Sequence, residues 1–561
     1  MSRSRHARPL SVALSLLAAL VTIAAGHAQS HTVAVQLLAF NDFHGNLEPP
    51  AGSNGRIGDV AAGGAEYLAT HLSTLASRNP NTLIVAAGDL IGASPLLSGM
   101  FHDEPSVQAL NAMGVDVSSV GNHEFDDGWR ELLRIQNGGC HPVEGCKDAT
   151  SFSGAAYRYL AANVLLEASP VGPAGTVLPP YVIKDVGGAR IGFIGLTLRR
   201  TPELVMPSSA EGLRFESEVA AANRSVRVLK AQKVRAIVVL IHEGGVPAGD
   251  DYNGCPGVSG PIVTIAGRMS DDIDVIVSGH THHAYNCTID GKLVTSAAAF
   301  GRLISAIDLT IDTRTGDVTS KKARNVIVTR DVPKDPAQTA IIEKYRPLYA
   351  VIGNREVGTI AGDLTRTQNP AGESVLGNII ADGALEEAAA PDRGGALLAF
   401  MNPGGIRADL FRSPAGGGAP RAVTYAEAFS VLPFRNRIVV QTLTGRMIRE
   451  ALEQQFDNIA PGQDRMLQVS RGFTYAYDRT APKSRRVDPR SMMLNGRQVL
   501  PAQEYRVAIN EFIAAGGDNF EAFTRGSVVT TVGMDLDVLI SYFQRHSPIE
   551  PVWTNRITRT R

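Results

Sequence analysis

The sequence predicts an α/β fold in more than one domain, and three observations lead to this prediction. Short β-branched apolar runs alternate with amphipathic helical segments in the N-terminal half, a pattern typical of layered α/β folds. The chain has 561 residues, which exceeds the usual size of one hydrophobic core. A charged, helical composition begins near residue 331 and separates this half from further strands and helices.

The overall composition argues against a protein that binds long nucleic acids. Hydrophobic residues make up 44% of the chain and charged residues 19%, which is ordinary for a soluble globular protein. The 54 Lys and Arg residues nearly balance the 55 Asp and Glu residues. Because no global basic field exists, we expect no long nucleic acid as a partner.

Residues 1–28 have the features of a secretory signal peptide. Arg3, Arg5 and Arg8 precede an apolar stretch at 10–25, and Gly26-His27-Ala28 then offers small residues at the positions that a signal peptidase reads. The stretch is shorter than the roughly 20 residues of a membrane-spanning helix, although a membrane anchor is the alternative. We therefore expect a periplasmic or secreted protein with no membrane anchor after signal removal.

The four cysteines fit an oxidising compartment. We favour the pairs Cys140–Cys146, around a short loop, and Cys255–Cys287, although sequence alone does not fix the connectivity. Zinc binding by the thiols is the weaker alternative, since the sequence contains no CxxC pair.

Five predicted strands in the N-terminal half each end in polar residues. The strands are 33–40, 82–87, 115–120, 236–241 and 273–278, and helices are predicted at 66–75 and 105–113. The side chains that follow the strands are Asp42, His44, Asp89, Asn122, His123, His242, His280 and His282. Ligands of α/β sheets bind beyond the carboxyl ends of strands, so we expect these side chains to converge.

This set of side chains predicts a metal centre. Imidazole, carboxylate and amide oxygen together suit Mn²⁺, Zn²⁺, Co²⁺ or Fe²⁺. Eight candidates exceed the ligands of one ion, which predicts two divalent ions bridged by a carboxylate. The alternative is that these side chains are unrelated turn residues and structural histidines. This alternative requires a coincidence at five strand ends.

The C-terminal part is predicted to form a second α/β domain. We assign 331–353 to a linker helix and 354–561 to this domain, with strands at 437–443, 472–477 and 504–510 and helices at 374–387 and 445–456. The Gly-rich run 414–420 is predicted as a surface loop, because it lacks the Lys and the strand-to-helix setting of a phosphate-binding loop.

The motifs closely resemble those of the calcineurin-like metallophosphoesterases, in particular the 5′-nucleotidase family. The matching segments are Asp42-Phe43-His44, Gly88-Asp89, Gly121-Asn122-His123-Glu124, His242 and Gly279-His280-Thr281-His282, in the family's order. The resemblance implies that residues 29–330 form a four-layer domain, a β-sandwich flanked by helices. It also implies that the C-terminal α/β domain binds the substrate.

The same resemblance implies a division of roles among these residues. Asp42, His44, Asp89 and His282 would hold one ion, and Asp89, Asn122, His242 and His280 the other, with Asp89 bridging. His123 would not be a ligand but would face the phosphoryl group, with Asp126 orienting its ring. An imidazolium fixed in this way can stabilise developing charge, and a metal-bound water would be the nucleophile. Glu124 could equally be a structural turn residue.

Three C-terminal segments resemble the substrate-binding segments of the 5′-nucleotidases. Asn402 and Arg407 belong to an Asn-x-Gly-Gly-x-Arg motif whose Arg contacts phosphate, as the planar guanidinium suits. Phe434 and Phe512 match the two rings that clamp the base, and Asp518 would accept hydrogen bonds from ribose hydroxyls.

One departure bears on specificity. Family members that are strict 5′-nucleotidases carry an Arg before the helix that follows residue 374, whereas this chain has Gly372-Glu373-Ser374, with Arg366 nearby. This variant resembles relatives that accept several phosphoesters.

The predicted function is an exported two-metal hydrolase that releases phosphate from nucleotides, as a 5′-nucleotidase does. The alternatives are a 2′,3′-cyclic-nucleotide phosphodiesterase with 3′-nucleotidase activity or a UDP-sugar hydrolase. More remote alternatives are a thiosulfohydrolase-like enzyme and a non-catalytic surface protein. The expected partner is a small nucleotide, and the oligomeric state stays open.

Overall fold

The computed structural model describes residues 31–148, 150–167, 175–412, 420–457 and 464–561. The predicted signal peptide and most of the Gly-rich run 414–420 lie outside the described residues. Among the described residues, no helix is both long and apolar enough to cross a membrane.

Two six-stranded sheets build the N-terminal half. The first runs, in spatial order, Val318–Ile327, Leu303–Asp312, Thr32–Phe40, Thr82–Ala87, Val117–Ser119 and Arg158–Leu160. The second runs Ala284–Ile289, Lys292–Ala297, Val275–Ser278, Ala236–His242, Ala189–Thr197 and Tyr181–Val186. All five predicted strands are present, and each pairs in parallel with at least one neighbour.

The two sheets pack face to face as a sandwich. Leu37 and Ala39 point into an apolar cluster that also contains Phe193 and Val238 of the second sheet. The alternate residue Leu38 points to the opposite face, where helices cover the sheet. Because side chains alternate between faces and both faces are buried, the strands are continuously apolar and not alternating.

Helices cover the outer face of each sheet. Ala65–Ala76, Glu104–Ala112 and Trp129–Asn137 pack on the first sheet, and Glu218–Ala231 and Pro261–Arg268 pack on the second. The order helix, sheet, sheet, helix confirms the predicted four-layer domain. The predicted helices at 66–75 and 105–113 differ from the observed bounds by one residue at each end.

Within the predicted linker segment 331–353, the structure has a helix at Pro336–Gly353. Asp335 caps it by accepting hydrogen bonds from the backbone N–H groups of Ala337 and Gln338, and Pro336 occupies the first turn. Its Tyr345 side chain is fully buried and packs against Phe101 of the N-terminal half, with ring centroids 4.9 Å apart. The helix therefore belongs to the core between the two halves.

The C-terminal half forms a second α/β unit. Its main sheet runs Gln468–Val469, Leu398–Met401, Glu504–Asn510, Arg437–Thr444 and Ser527–Met534. Helices Val375–Ala388, Tyr425–Val431, Gly445–Gln454 and Asp535–His546 accompany it, with a smaller sheet of Arg497–Gln498, Met493–Leu494, Phe473–Tyr477 and Ile557–Arg559. Strands Glu356–Ile360 and Arg421–Thr424 form a separate antiparallel pair.

Both predicted disulfides are present. The Cα atoms of Cys140 and Cys146 lie 4.7 Å apart, and those of Cys255 and Cys287 lie 5.3 Å apart. The second bridge joins the segment after the Ala236–His242 strand to the Ala284–Ile289 strand. It therefore ties together two chain segments that each follow predicted metal ligands.

Candidate active site

The backbone at the strand ends adopts an unusual conformation. Asp42, His44, Asp89, His280 and His282 have φ angles of 50°, 47°, 49°, 70° and 58°. Non-glycine residues are uncommon in this left-handed region, which costs about 1–3 kcal/mol per residue and is concentrated at functional sites. Five predicted ligands with the same strain indicate a site that the surrounding packing holds in place.

The first group of side chains consists of Asp42, His44 and His282, whose ligand atoms lie within 4.8 Å of one another. The Nε2 atoms of His44 and His282 are 3.2 Å apart, and His282 Nε2 is 3.2 Å from Asp42 Oδ1. His44 Nδ1 lies 2.9 Å from the Gly92 carbonyl oxygen. This contact fixes the ring so that Nε2 points toward the group.

The second group consists of Asp89, His242 and His280, again within 4.8 Å. Asp89 Oδ2 lies 2.9 Å from His242 Nε2 and 3.6 Å from His44 Nε2, so this carboxylate stands between the two groups. The Asn122 side-chain oxygen is buried and has no hydrogen-bond partner in the part of the chain that the structure describes. A buried oxygen without a partner is costly unless a ligand satisfies it.

The electrostatics of the two groups favour cations. Asp42 and Asp89 are both buried. Burial lowers the pKa of His242, but the carboxylates of Asp89 and Asp42 outweigh this effect and raise it to about 10. The pocket therefore attracts positive charge, and its imidazole, carboxylate and amide donors suit divalent transition metals. The residues fit divalent metal ions.

His123 is positioned differently from the other histidines. Its Nδ1 lies 2.7 Å from Asp126 Oδ2, and its backbone N–H donates to Asp89 Oδ1. Burial lowers the pKa of His123, but Asp126 and then Asp89 raise it, and the net shift is upward. The Asp126 carboxylate therefore orients the ring and favours its charged form.

Glu124 is a structural residue of the centre. Its carboxylate accepts hydrogen bonds from the backbone N–H groups of Asp89, Leu90 and Gly121 at 2.9, 2.8 and 2.5 Å. It thus joins the turn that carries Asp89 to the turn that carries Asn122. Gly121 is required at this junction, because a Cβ atom there would lie 2.0 Å from Asp89 Oδ1.

Two predicted substrate residues of the C-terminal half reach the centre. The Phe434 ring stacks on His123 with centroids 5.6 Å apart and planes 15° from parallel, and the Arg407 guanidinium lies 5.9 Å from the Phe434 centroid. Burial and then Arg366 lower the pKa of Arg407, while Asp89 partly compensates. Arg407 therefore faces the carboxylates of the metal groups across the domain boundary.

The other three predicted substrate residues form a separate group. Asn402 donates to Asp518 Oδ2 at 2.8 Å and accepts from Asn510 at 2.8 Å. Phe512 packs against Gly517 and the C-terminal core. Among the described residues, Phe434 and Phe512 make no ring contact with each other. Asp518 is also 3.4 Å from Arg465, so a ribose hydroxyl would compete with two existing partners.

The segment Gly372-Glu373-Ser374, which departs from the pattern of strict 5′-nucleotidases, has a structural role. Glu373 is fully buried and accepts from the Asn378 side chain at 2.6 Å and from the Arg556 backbone at 2.9 Å. It therefore anchors the C-terminal segment to the Val375–Ala388 helix and does not contact the metal groups. Arg366 donates to Asn54 at 2.9 Å across the domain boundary.

Sequence reasoning missed Phe300. Its ring lies 5.2 Å from that of His282 and 5.8 Å from that of His44, so it closes one side of the centre. The surrounding run, Ser296 to Gly301, is half alanine and carries no ligand chemistry that would have marked it. Only the left-handed backbone at Ala298 and Phe300 distinguishes this turn, and that is visible in the structure alone.

Comparison with known proteins gives the family. The calcineurin-like phosphoesterase model matches residues 35–284, and the model of the 5′-nucleotidase C-terminal domain matches residues 351–525. The cell wall protein Lmo0130 of Listeria monocytogenes is 31% identical over 544 residues, which cover 92% of this chain and 68% of that protein. The chain belongs to the 5′-nucleotidase family.

Two further relatives of this 5′-nucleotidase family member are informative. Endonuclease YhcR of Bacillus subtilis is 32% identical over 521 residues, but these cover 92% of this chain and 40% of YhcR. The chain thus spans less than half of that relative's length. A 5′-nucleotidase precursor from Thermus thermophilus has a similar structure, with a TM-score of 0.75 and 26% identity, covering 94% of this chain and 99% of that one.

Membership of the 5′-nucleotidase family bears on the chemistry of the clustered side chains. The N-terminal half of the chain has the calcineurin-like phosphoesterase fold, which implies divalent metal ions at the clustered side chains. The two disulfides fit an oxidising compartment.

Proposed function

We propose that the protein is an exported hydrolase that releases phosphate from nucleoside 5′-monophosphates with the help of two divalent ions. One group would consist of Asp42, His44, Asp89 and His282, and the other of Asp89, Asn122, His242 and His280. The observation that carries this proposal is the convergence of both groups on Asp89, the carboxylate between them. A carboxylate shared in this way is what an in-line phosphoryl transfer at two ions needs.

The chain's own residues have separate tasks in this reaction. The bound ions would neutralise the phosphoryl oxygens and lower the pKa of the attacking water. His123, oriented by Asp126, would stabilise negative charge on the phosphoryl group or the leaving oxygen. Arg407 would pair with phosphate oxygens through its planar guanidinium. Glu124 would hold two ligand turns in register.

The nucleoside would bind on the C-terminal side of the centre. Phe434 already lies against His123, so a base stacked on this ring would sit next to the phosphoryl group. Phe512 would supply the second face, and Asn402 and Asp518 would contact the ribose. Because Asp518 is bonded to Asn402, we expect that amide to shift when the ribose binds.

Metal dependence is the direct test of the proposal. Chelation should abolish phosphate release, and Mn²⁺, Co²⁺ or Zn²⁺ should restore it, because the ions would lower the pKa of the attacking water and neutralise the phosphoryl oxygens. Elemental analysis of the reconstituted protein should give close to two ions per chain. Full activity in a sample verified as metal-free would exclude the mechanism, and one ion per chain at saturation would exclude the shared-carboxylate arrangement.

The nucleoside site is tested by replacing Phe434 and Phe512 together with alanine. Each ring stacked on a base contributes about 1–3 kcal/mol, so KM for nucleotides should rise steeply. For p-nitrophenyl phosphate, which has no nucleoside, the loss should be much smaller, since the metal groups do not depend on these rings. Replacing the buried Phe523 with alanine is the matched control for general damage to the C-terminal core. An equal loss for both substrates in the double variant would show that these rings serve the core and not the nucleoside.

A further inference from the structure

A further cluster of potential metal ligands lies outside the candidate active site. Ligand atoms of His102, Glu131 and His141 all lie within 4.8 Å of one another. We name these three residues the His102 cluster. None of them belongs to either group of side chains at the strand ends. The cluster therefore brings two imidazoles and a carboxylate to one place that the proposed hydrolysis does not use.

Three separate segments of the chain supply the His102 cluster. His102 lies two residues before the helix Glu104–Ala112, and Glu131 is in the first turn of the helix Trp129–Asn137. His141 is in the short loop that the first disulfide closes. Because the disulfide restricts this loop, little conformational freedom is left to lose when the three side chains bind a common ligand.

The two imidazoles lie face to face. Their ring centroids are 3.9 Å apart, and the ring planes are 3° from parallel. Burial and then His141 lower the pKa of His102, although Glu144 partly compensates. Two stacked imidazolium rings would repel each other, so the pair favours neutral rings. A neutral imidazole is the form of histidine that binds metal ions.

Glu144 completes a set of four ligands. It lies in the same disulfide loop as His141, and its Oε2 atom is 3.2 Å from His102 Nε2. Lys147 pairs with this carboxylate at the surface, and a metal ion would replace that contact. Two imidazoles and two carboxylates supply the nitrogen and oxygen ligands, and the coordination number of four, that Zn²⁺ prefers.

The charges around Glu131 also favour a cation. Glu131 and Glu104 share the Arg134 guanidinium, whose Nη2 and Nη1 atoms lie 2.6 Å from Glu131 Oε1 and 2.6 Å from Glu104 Oε1. Two carboxylates thus face one guanidinium, and this trio carries a net negative charge. Each carboxylate oxygen has two lone pairs, so Glu131 can keep its contact with Arg134 and still bind an ion.

We propose that the His102 cluster, together with Glu144, binds one zinc ion in addition to the ions of the proposed active site. The ion would join the disulfide loop to two helices of the N-terminal half and so stabilise the folded chain. His141 Nδ1 accepts a hydrogen bond from the Glu144 backbone N–H at 3.1 Å, so this nitrogen carries a lone pair and no proton. An ion bound at this nitrogen would replace that hydrogen bond.

The ion at the His102 cluster would be exchangeable. His102, Glu131 and His141 are only partly buried, and Glu144 is exposed, whereas Asp42 and Asp89 of the strand-end groups are buried. Desalted protein should therefore keep the ions of the strand-end groups and lose this one. For that reason the ion has to be counted at equilibrium with free Zn²⁺.

Metal content at equilibrium is the test. The protein is loaded with Mn²⁺ and dialysed against an excess of free Zn²⁺, and the total of both metals per chain is measured. We expect the double variant His102→Ala/His141→Ala to hold one ion fewer per chain than the wild type. This difference is the readout, so exchange of Mn²⁺ for Zn²⁺ at the strand-end groups does not affect it. His546→Ala, which removes a partly exposed histidine bonded to Glu386, is the matched control and should keep the ion.

Thermal unfolding gives a second measurement. An ion that binds only the folded state stabilises that state by mass action, so Zn²⁺ should raise the unfolding temperature more in the wild type than in the double variant. His141→Asn covers the case in which the double variant does not fold, because its loop lies at the surface. Residues that only support metal ligands already affect affinity by about 10–100-fold, so we expect this loss of a ligand to weaken Zn²⁺ binding at least about tenfold.

Two outcomes would overturn the inference. One is equal metal content in the wild type and in the folded variants of His102 and His141. The other is loss of the same ion from His546→Ala, which would show adventitious binding by surface histidines. Phosphate release is not measured in this experiment, so failure of the proposed function and failure of this inference are recognised separately.

Discussion

His123 differs from the other histidines at the strand ends in the residues that contact the edge and the face of its ring. Asp126 holds one edge of the ring, and Phe434 of the C-terminal half covers one face. By contrast, His44, His242 and His282 each have Nε2 within 4 Å of a carboxylate of the metal groups. A ligand atom of His123 also lies within 4.8 Å of those of His44 and Asp89, so its contacts with Asp126 and Phe434 support, and metal analysis must test, the proposal that it faces the substrate and is not a ligand.

The His123→Ala variant tests this distinction at the residue scale. We expect both metals to remain bound and the rate of phosphate release to fall by about 10²–10⁴, the range for a positioned acid or charge-stabilising group. Asp89→Ala is the comparison, because loss of the shared carboxylate should remove metal as well as activity. Elemental analysis and initial rates are the two measurements. A His123→Ala protein that loses its metals would mean that His123 is a ligand.

At the scale of elements, Glu124 links by hydrogen bonds the two turns that carry Asp89 and Asn122. Three backbone N–H groups from two different turns end on this one buried carboxylate. Hydrogen bonds to a charged group contribute about 1.5–3 kcal/mol each, so the anchor is strong. It explains why a carboxylate stands directly after His123 although it does not point at the metal groups.

The Glu124→Gln variant should weaken metal binding without removing a ligand. The amide keeps one acceptor oxygen but turns an NH₂ group toward backbone N–H groups, so the Asp89 and Asn122 turns should separate. Residues that support metal ligands typically affect metal affinity by about 10–100-fold. Chelator competition measures this affinity, and Glu450→Gln, which disturbs a surface ion pair with Arg525, is the control. Unchanged metal affinity in Glu124→Gln would disprove the anchoring role.

At the scale of the whole molecule, one apolar cluster passes through both halves. It contains Leu38 and Phe101 of the N-terminal half, Tyr345 of the connecting helix, and Phe429 and Phe543 of the C-terminal half. Domains that share a large apolar interface do not move or unfold independently. We therefore expect the two halves to unfold in a single calorimetric transition.

Replacing Tyr345 with alanine should break this coupling. The side chain is fully buried, and its hydroxyl bonds Gln108 and Asp148, so truncation should cost about 3–5 kcal/mol by analogy with other buried aromatic residues. Scanning calorimetry should then show two transitions in place of one. Val351→Ala, on the exposed side of the same helix, is the control. A single transition at an unchanged temperature would contradict the role assigned to Tyr345.

The sequence alone determined the strands and the metal-ligand candidates, whereas the cysteine pairing that it favoured was fixed only by the structure. Buried strands are recognisable because apolar β-branched runs end at polar turns, and residues at the carboxyl ends of parallel strands meet for a general geometric reason. Asp42, Asp89 and His242 lie far apart in the chain, yet their convergence was predictable from that rule. The helix that follows Asp335 was also predictable, since its cap and Pro336 are local signals.

Only the tertiary structure decided which faces of the two halves meet. Stacking of Phe434 on His123 and closure of the centre by Phe300 depend on tertiary packing, which no local pattern encodes. The position of Glu373 was equally hidden. A structural buried carboxylate cannot be told from a catalytic carboxylate in the sequence. The hydrogen-bond partners of the Glu373 carboxylate, which are Asn378 and the Arg556 backbone, show that its role is structural.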